Sequence, residues 1–492
     1  MEQLNHQKRS GGQAEADFLP QLERGNQISL VKQLVRAIRE AIESGRLHPG
    51  MRLPSSRRLA AALQVNRNTV VTALEHLMAE DYLTGKPGSG TFVSDQASFS
   101  FDASRGASAP PTLHGLPPLP EPAIAPRFAG TLVGGICQPS MTAFPLTQWR
   151  KAWRQATRQV PAPQYSDPAG EPGLRAAVAD YLAHARGLRC SPDDLLITSG
   201  ATQAFALVAQ ALLSPEMMVA FEEPGYPLAR QVFEQHAARL LLVPVDESGL
   251  CVEHLPEGLV GPKLVYVTPS HQFPLGVRLS AARRVALLEW ARRHDALIVE
   301  DDYDSEFRYD VPPLLPLASL DSTNQVIYVG TFSKALSPSL RIGYVLAPLL
   351  RERLRRLKCW MDYHSSTPTQ LALEYFLKEG YFAQHIRRMR RLYAEKRAIL
   401  VQALSPVQAV ASVRGLEAGL HAFVACDTPV QIESLVQHCL RQGILLTDLS
   451  RYYAAEPCQR GVVLGYGGLE RHKIEWIGRQ IRLACASRSH ER

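Results

Sequence analysis

Cysteine is sparse and unpatterned, with eight residues in 492 and no Cys-x-x-Cys pair. That argues against a disulfide framework and offers no zinc-type ligand spacing, so no metal site is expected and a reducing cytoplasm is the implied compartment. No stretch reaches the roughly 18 consecutive apolar residues of a membrane helix. The first twenty residues hold His6, Lys8 and Arg9 but no apolar core segment, so no secretory signal is expected there. Neither sign of charge dominates: 54 Lys and Arg against 47 Asp and Glu leave a formal net charge of +7. A mildly basic chain permits a nucleic-acid partner without requiring one. What is present is length, enough for two or three domains and a large core.

The large part of the chain contains apolar runs of strand length that end in small-residue turns bearing chemistry. Val326-Ile327-Tyr328-Val329-Gly330 leads into Thr331-Phe332-Ser333-Lys334, and Arg341 precedes a second run, Ile342-Gly343-Tyr344-Val345-Leu346. Two cations at a sheet edge suit an anionic ligand, and a lysine beside hydroxyls can form a Schiff base with an aldehyde cofactor. Taken alone, Lys334 reads first as a solvated lysine after a strand. Three other stretches change that. Ala296-Leu297-Ile298-Val299 ends in Glu300-Asp301-Asp302-Tyr303, and an acid at a strand end is what a pyridoxal phosphate site needs to keep the pyridine nitrogen protonated. Leu195-Leu196-Ile197-Thr198 breaks into Ser199-Gly200-Ala201-Thr202 and opens an apolar helix, whose N-terminus suits a phosphate. Glu222-Glu223-Pro224-Gly225-Tyr226-Pro227 follows another strand and offers an aromatic face. Strands at 195–198, 218–221, 240–245, 263–268, 296–300, 326–330 and 342–346, alternating with helices such as 281–294, predict an α/β domain with a largely parallel sheet.

Residues 1–25 read as a loose, polar start. From Ser29, Val31, Leu34, Val35, Ile38 and Ile42 recur at helical spacing, with Gly45 as a stop. Ser55 can cap a second helix burying Leu59, Ala60 and Leu63, and Asn66 a third burying Val70, Leu74, Leu77 and Met78. Tyr82-Leu83-Thr84 and Gly90-Thr91-Phe92-Val93 then read as strands around Lys86-Pro87-Gly88-Ser89, a hairpin. Three helices and a basic hairpin make a mostly α winged helix-turn-helix over 26–94. Nine Lys and Arg (Lys32, Arg36, Arg39, Arg46, Arg52, Arg57, Arg58, Arg67, Lys86) face five acids there (Glu40, Glu43, Glu75, Glu80, Asp81). The alternative is a small structural bundle with a solvated basic face. Residues 95–128 shift to Ala, Ser and Pro, including Pro117-Pro118-Leu119-Pro120, and read as an extended linker. The tail from about 350 has basic helices (Arg351 to Lys358, Arg387 to Arg397) and strand-like pieces at 421–424 and 461–464.

On GTFSKALSPSLRIGY (330–344), EDDYDSEFRY (300–309), TPSHQFPLG (268–276), EEPGYP (222–227) and YSDPAGEPGLR (165–175), residues 129–492 resemble the fold type I aminotransferases. The wording of those motifs, together with GRLHPGMRLPSSRRLAAALQVNRNTVVTALEHLMAEDYLTGKPGSGTFV (45–93), is similar to the MocR subfamily of GntR-type regulators. The resemblance implies a cytoplasmic, homodimeric transcription regulator that binds double-stranded DNA, with pyridoxal 5'-phosphate in an effector and dimerisation domain. Arg52, Ser56 and Arg57 would then contact phosphates and base edges. Arg67, Asn68, Thr69 and Thr72 would enter the major groove, and Lys86, Gly88, Ser89 and Gly90 would form the wing tip. In the cofactor site Lys334 would carry the Schiff base, Asp301 pair the ring nitrogen, Tyr303 bond the ring oxygen and Tyr226 stack. Ala201, Thr202, Thr331, Ser333 and Arg341 would hold the phosphate, and Tyr165 would reach the phosphate of the other subunit.

The chain departs from the aminotransferases at Phe273-Pro274-Leu275-Gly276, where they have Asn-Pro-Thr-Gly, and this lowers the expectation of fast turnover. Two positions that hold a substrate or effector carboxylate with arginine in relatives fall here on Leu228 and Val463, with Arg460 three residues upstream as the nearest substitute. Losing both clamps points to pyridoxal phosphate itself as effector, in a regulator of vitamin B6 metabolism. The alternatives are an amino acid or amine effector, and a working aminotransferase with an accessory DNA-binding head.

Overall fold

The computed structural model describes residues 22–25, 28–95, 134–158, 160, 163–236, 239–258, 261–309, 315–405, 412–426 and 429–486. Most of the expected loose start and all but Asp95 of the expected linker lie outside them. The chain divides into two compact units, one up to Leu119 and one from Pro120.

In the first unit, helix α1 (Leu30–Glu43) starts at Ser29, whose hydroxyl accepts from the Lys32 amide. α2 (Ser56–Leu63) is capped by Ser55 and α3 (Arg67–Ala79) by Asn66, each side chain accepting a first-turn amide. Such caps satisfy donors that the helix leaves open, worth about 1 kcal/mol each. Leu34 and Ile38 of α1, Leu59 of α2 and Val70, Ala73 and Leu77 of α3 form a dry centre. Leu63 and Met78, expected inside, are half-buried because they sit in the last turns of their helices, past the edge of that centre. Strands β1 (Leu83–Lys86) and β2 (Gly90–Val93) pair antiparallel, Lys86 opposite Gly90. The first strand therefore runs further than 82–84. Pro87-Gly88-Ser89 suffices for the turn, with Gly88 at φ 73°.

The second unit is built on an eight-stranded sheet of β3 (Leu195–Thr198), β4 (Met218–Glu223), β5 (Arg239–Asp246), β6 (Gly249–Leu250), β7 (Leu264–Val267), β8 (Leu297–Asp302), β9 (Val326–Thr331) and β10 (Gly343–Leu346). Its order is β3-β10-β9-β8-β7-β4-β5-β6. β5, β4, β7, β8 and β9 are parallel, while β10 runs antiparallel to both β9 and β3. This arrangement brings Thr198, Glu223, Val267, Asp302 and Thr331 to one edge, and Gly343 starts β10 opposite both Thr198 and Thr331. Gly330 faces Tyr344 across the β9–β10 pair, where a Cβ would lie 2.2 Å from the phenol ring. Only glycine lets that ring cover the strand. β3, β4, β7, β8, β9 and β10 are buried almost throughout, which accounts for strands that read as continuous apolar runs, whereas β5 has exposed positions.

The tail forms a second lobe. β11 (Val413–Arg414), β12 (His421–Ala425), β13 (Leu446–Asp448) and β14 (Gly461–Gly465) make an antiparallel sheet in the order β11-β12-β14-β13. The helices Tyr381–Leu404 and Arg471–Ala486 pack against it through Leu400, Leu404, Ile474 and Ile477.

Candidate functional site

The turns at the carboxyl edge of the large sheet converge on a cavity of about 590 Å³, a size that suits a small cofactor or ligand. Ala201, Thr202, Tyr226, Asp301, Tyr303, Thr331, Ser333, Lys334 and Arg341 all line it. Nine of the ten expected cofactor residues thus share one wall system. Tyr165 does not join them: it is 74% exposed and stacks on Tyr363 at 4.4 Å.

Asp301, at the end of β8, sets the electrostatics. Its Oδ2 accepts from the Tyr266 hydroxyl at 2.6 Å, whereas its Oδ1 is buried without a partner among the described residues. Burial pushes the carboxyl up to about 7, although the Tyr266 bond and Lys334 act in the other direction. An oxygen in that condition calls for a ring N–H, which would restore its charge. At the other end of the cavity, Gly200 precedes the helix Ala201–Leu212 with φ 95° and provides no side-chain cap for the helix amides. A Cβ on Gly200 would lie 3.0 Å from Arg341 Nη2. That guanidinium also donates to the Ser199 carbonyl at 2.5 Å. A helix N-terminus, an arginine and the linked hydroxyls of Thr331 and Ser333, 3.0 Å apart, make a phosphate cradle. The residues present therefore fit pyridoxal phosphate on the unpaired Asp301 oxygen and on the open cradle.

The remaining wall is aromatic. Phe273 lies edge-on to Tyr226 (5.2 Å), Tyr303 (5.9 Å) and Tyr452 (5.4 Å). The Tyr303 hydroxyl is 2.8 Å from the His271 carbonyl and 3.2 Å from His271 Nδ1, which in turn meets Asp304 at 3.0 Å.

Arg451 escaped the sequence reading. It sits in the short turn Leu449–Tyr452 after β13, lines the cavity together with Leu445 and Thr447, and is exposed at its mouth. Leu228 and Val463 do not line the cavity, and Val463 packs among Leu275, Phe423 and Leu449. Arg460 is not in the wall either. The ground for calling the cavity free of a carboxylate clamp is therefore corrected: a guanidinium is present, from a turn with no periodic signature. Its segment is latched to the large lobe, since Glu223 Oε1 accepts from the Ala454 and Ala455 amides (2.6 and 2.9 Å) and Gly225 N donates to the Tyr452 carbonyl.

In the first unit, Arg52, Arg57, Arg67, Asn68, Lys86, Gly88, Ser89 and Gly90 are exposed, while Ser56, Thr69 and Thr72 are half-buried. Arg67 Nε lies 3.4 Å from Ser56 Oγ, which ties the start of α3 to that of α2. The Arg52 guanidinium lies beside Gly90, whose added Cβ would come 3.1 Å from Nε, and Lys86 lies over the Phe92 ring at 5.2 Å.

Residues 133–461 match the aminotransferase class I and II family and residues 30–93 the bacterial regulatory proteins of the gntR family. The probable rhizopine catabolism regulatory protein MocR of Rhizobium meliloti is 35% identical, over 91% of this chain and 92% of that one. The HTH-type pyridoxine biosynthesis transcriptional regulator PdxR of Corynebacterium glutamicum is 34% identical, over 92% and 95%. Kynurenine aminotransferase of Pyrococcus horikoshii, solved in complex with PMP, is 26% identical with a TM-score of 0.67, covering 73% of this chain and 92% of its own.

Asp301 generates a pH signature in protein free of cofactor. Its carboxyl titrates near 7 in the folded chain and near 3.9 when unfolded. Between about pH 4 and 7 the folded form thus holds the extra proton, and stability falls as pH rises, by about 1.4 kcal/mol per unit for one proton. In Asp301→Asn the urea midpoint should decline less between pH 5 and 7 than in wild type. Equal declines would contradict a buried carboxyl.

Proposed function

The chain belongs to the MocR subfamily of GntR-type transcription regulators, a winged helix-turn-helix joined to an aminotransferase-like domain, and from that premise we propose that it is a pyridoxal phosphate-dependent regulator of vitamin B6 metabolism. The observation that carries the cofactor reading is the single cavity joining Lys334, the half-satisfied Asp301 and the Gly200–Arg341 cradle. Bound there, pyridoxal phosphate supplies an electrophilic aldehyde that amines join reversibly. Lys334 offers the resident amine, Asp301 Oδ1 the ring-nitrogen partner, and Ala201, Thr202, Thr331, Ser333 and Arg341 the phosphate contacts. Phe273 lines the cavity where the aminotransferases have an asparagine, so a bound cofactor would lack that polar partner, which favours a sensor over a working transaminase.

We place the protein in the cytoplasm as a homodimer. The stacked pair Tyr165 and Tyr363, and Trp360 (80% exposed), are large exposed side chains of the kind that a second copy covers. Tyr165 would reach the partner's phosphate from there. Duplex DNA, as promoter repeats, would be read by Arg57, Arg67, Asn68, Thr69 and Thr72, with Arg52 and Ser56 beside them and the wing Lys86-Pro87-Gly88-Ser89-Gly90 on the backbone. In binding assays Arg67→Ala should weaken the native promoter by about 1–3 kcal/mol and relax its specificity, whereas Lys86→Ala should weaken all sequences alike. A promoter affinity unchanged by Arg67→Ala would count against the groove assignment.

Pyridoxal phosphate itself as effector is supported by the likeness to the pyridoxine biosynthesis regulator PdxR. Arg451 favours a second reading, an amino acid whose carboxylate meets that guanidinium in front of Lys334. Operator-binding titrations separate them. On the first reading pyridoxal phosphate alone shifts affinity, and Arg451→Gln leaves the shift intact. An effect that needs an added amino acid and is lost in Arg451→Gln would select the second.

A further inference from the structure

Behind the cofactor cavity lies a polar nest that neither reading uses. Cys137, one of the residues lining the cavity, sits with Sγ 3.5 Å from His421 Nδ1. Asp304 completes a triplet in which one ligand atom from each residue lies within 4.8 Å of the others. His271 donates to Asp304 at 3.0 Å from behind, and its ring centre is 4.6 Å from that of His421. All four side chains are buried, at 2% exposure or less. His271 Nε2 lacks a hydrogen-bond partner among the described residues, while the Pro274 backbone approaches the His421 ring, so the nest holds more polar capacity than the protein itself engages. Burying such capacity is unfavourable unless something satisfies it.

We propose that Cys137, His421 and Asp304 form a binding site for a thiophilic divalent cation of the zinc class, with His271 orienting the carboxylate. One soft sulfur, one imidazole and one carboxylate are a ligand set that zinc accepts, with the fourth position open. Tetrahedral bonds of about 2.3 Å to sulfur and 2.0–2.1 Å to nitrogen put those two ligand atoms about 3.5 Å apart, the separation observed. Binding releases the thiol proton to solvent, so thiolate and carboxylate together balance the two charges of the ion. That balance matters because Lys334 lines the same cavity and opposes uncompensated positive charge. The cavity gives an ion its way in, and once held it sits in the effector wall as an input separate from the effector. Residues 137, 304 and 421 are far apart in the chain, so no spacing motif announces them.

Cobalt(II) reports on such a site because a thiolate ligand gives it a charge-transfer band. Full-length protein, reduced with a phosphine and without added pyridoxal phosphate, should bind one cobalt per chain with that band, and zinc should abolish it. Cys137→Gly should remove the band. Residue 137 is in the left-handed region at φ 56°, where glycine is at ease, so this variant keeps the fold. His271→Gln should weaken binding about 10–100-fold, the effect of losing an orienting partner. Cys458→Ser, at an exposed cysteine, should change nothing. No thiolate band in wild type, or a band that survives Cys137→Gly, would overturn the proposal and leave the nest as a hydrated pocket. Pyridoxal phosphate binding, measured separately on the same preparations, keeps this outcome distinct from that of the cofactor reading.

Discussion

A carboxylate held out of water with one of its two oxygens unpaired is the constraint around which the large domain is arranged. Asp301 has Tyr266 on one oxygen and, among the described residues, no partner on the other. Such a group either keeps its proton or waits for a cationic N–H. The parallel strands carry it to the same edge as Lys334, Arg341 and the open end of the helix Ala201–Leu212. A ligand with a basic ring nitrogen at one end and an anion at the other satisfies both ends at once, and neither end alone would define it.

The cavity is closed from the other side by the small lobe. The turn carrying Arg451 and Tyr452 is fastened through Glu223 and Gly225 to the β4 turn that presents Tyr226. Whatever occupies the cavity touches both lobes, and a change of occupant is felt where they meet. That is a physical route by which ligand chemistry can alter how the two lobes of this domain meet.

Much of this was legible in the sequence because buried parallel strands read as unbroken apolar runs and their chemistry collects at one edge. The helix caps Ser55 and Asn66 were equally visible, since cap residues precede periodic runs, whereas the cap at Ser29 emerged only in the structure. Three things were not. β6, β11 and β13 span two or three residues each, too short to show a period. Arg451 lies in a single turn, where register arguments anchored on Val463 point elsewhere, because Val463 faces an apolar cluster. The nest of Cys137, Asp304 and His421 is assembled by tertiary contact alone, which a reading of cysteine spacing overlooks.

The central claim, that the aminotransferase-like cavity makes DNA binding answer to pyridoxal phosphate, is tested most directly by genome-wide footprinting of purified wild-type and Lys334→Ala protein with and without the cofactor. The account predicts a small set of repeat sites whose occupancy changes with pyridoxal phosphate in wild type and does not respond in Lys334→Ala. Footprints that are identical with and without pyridoxal phosphate in wild type would contradict it.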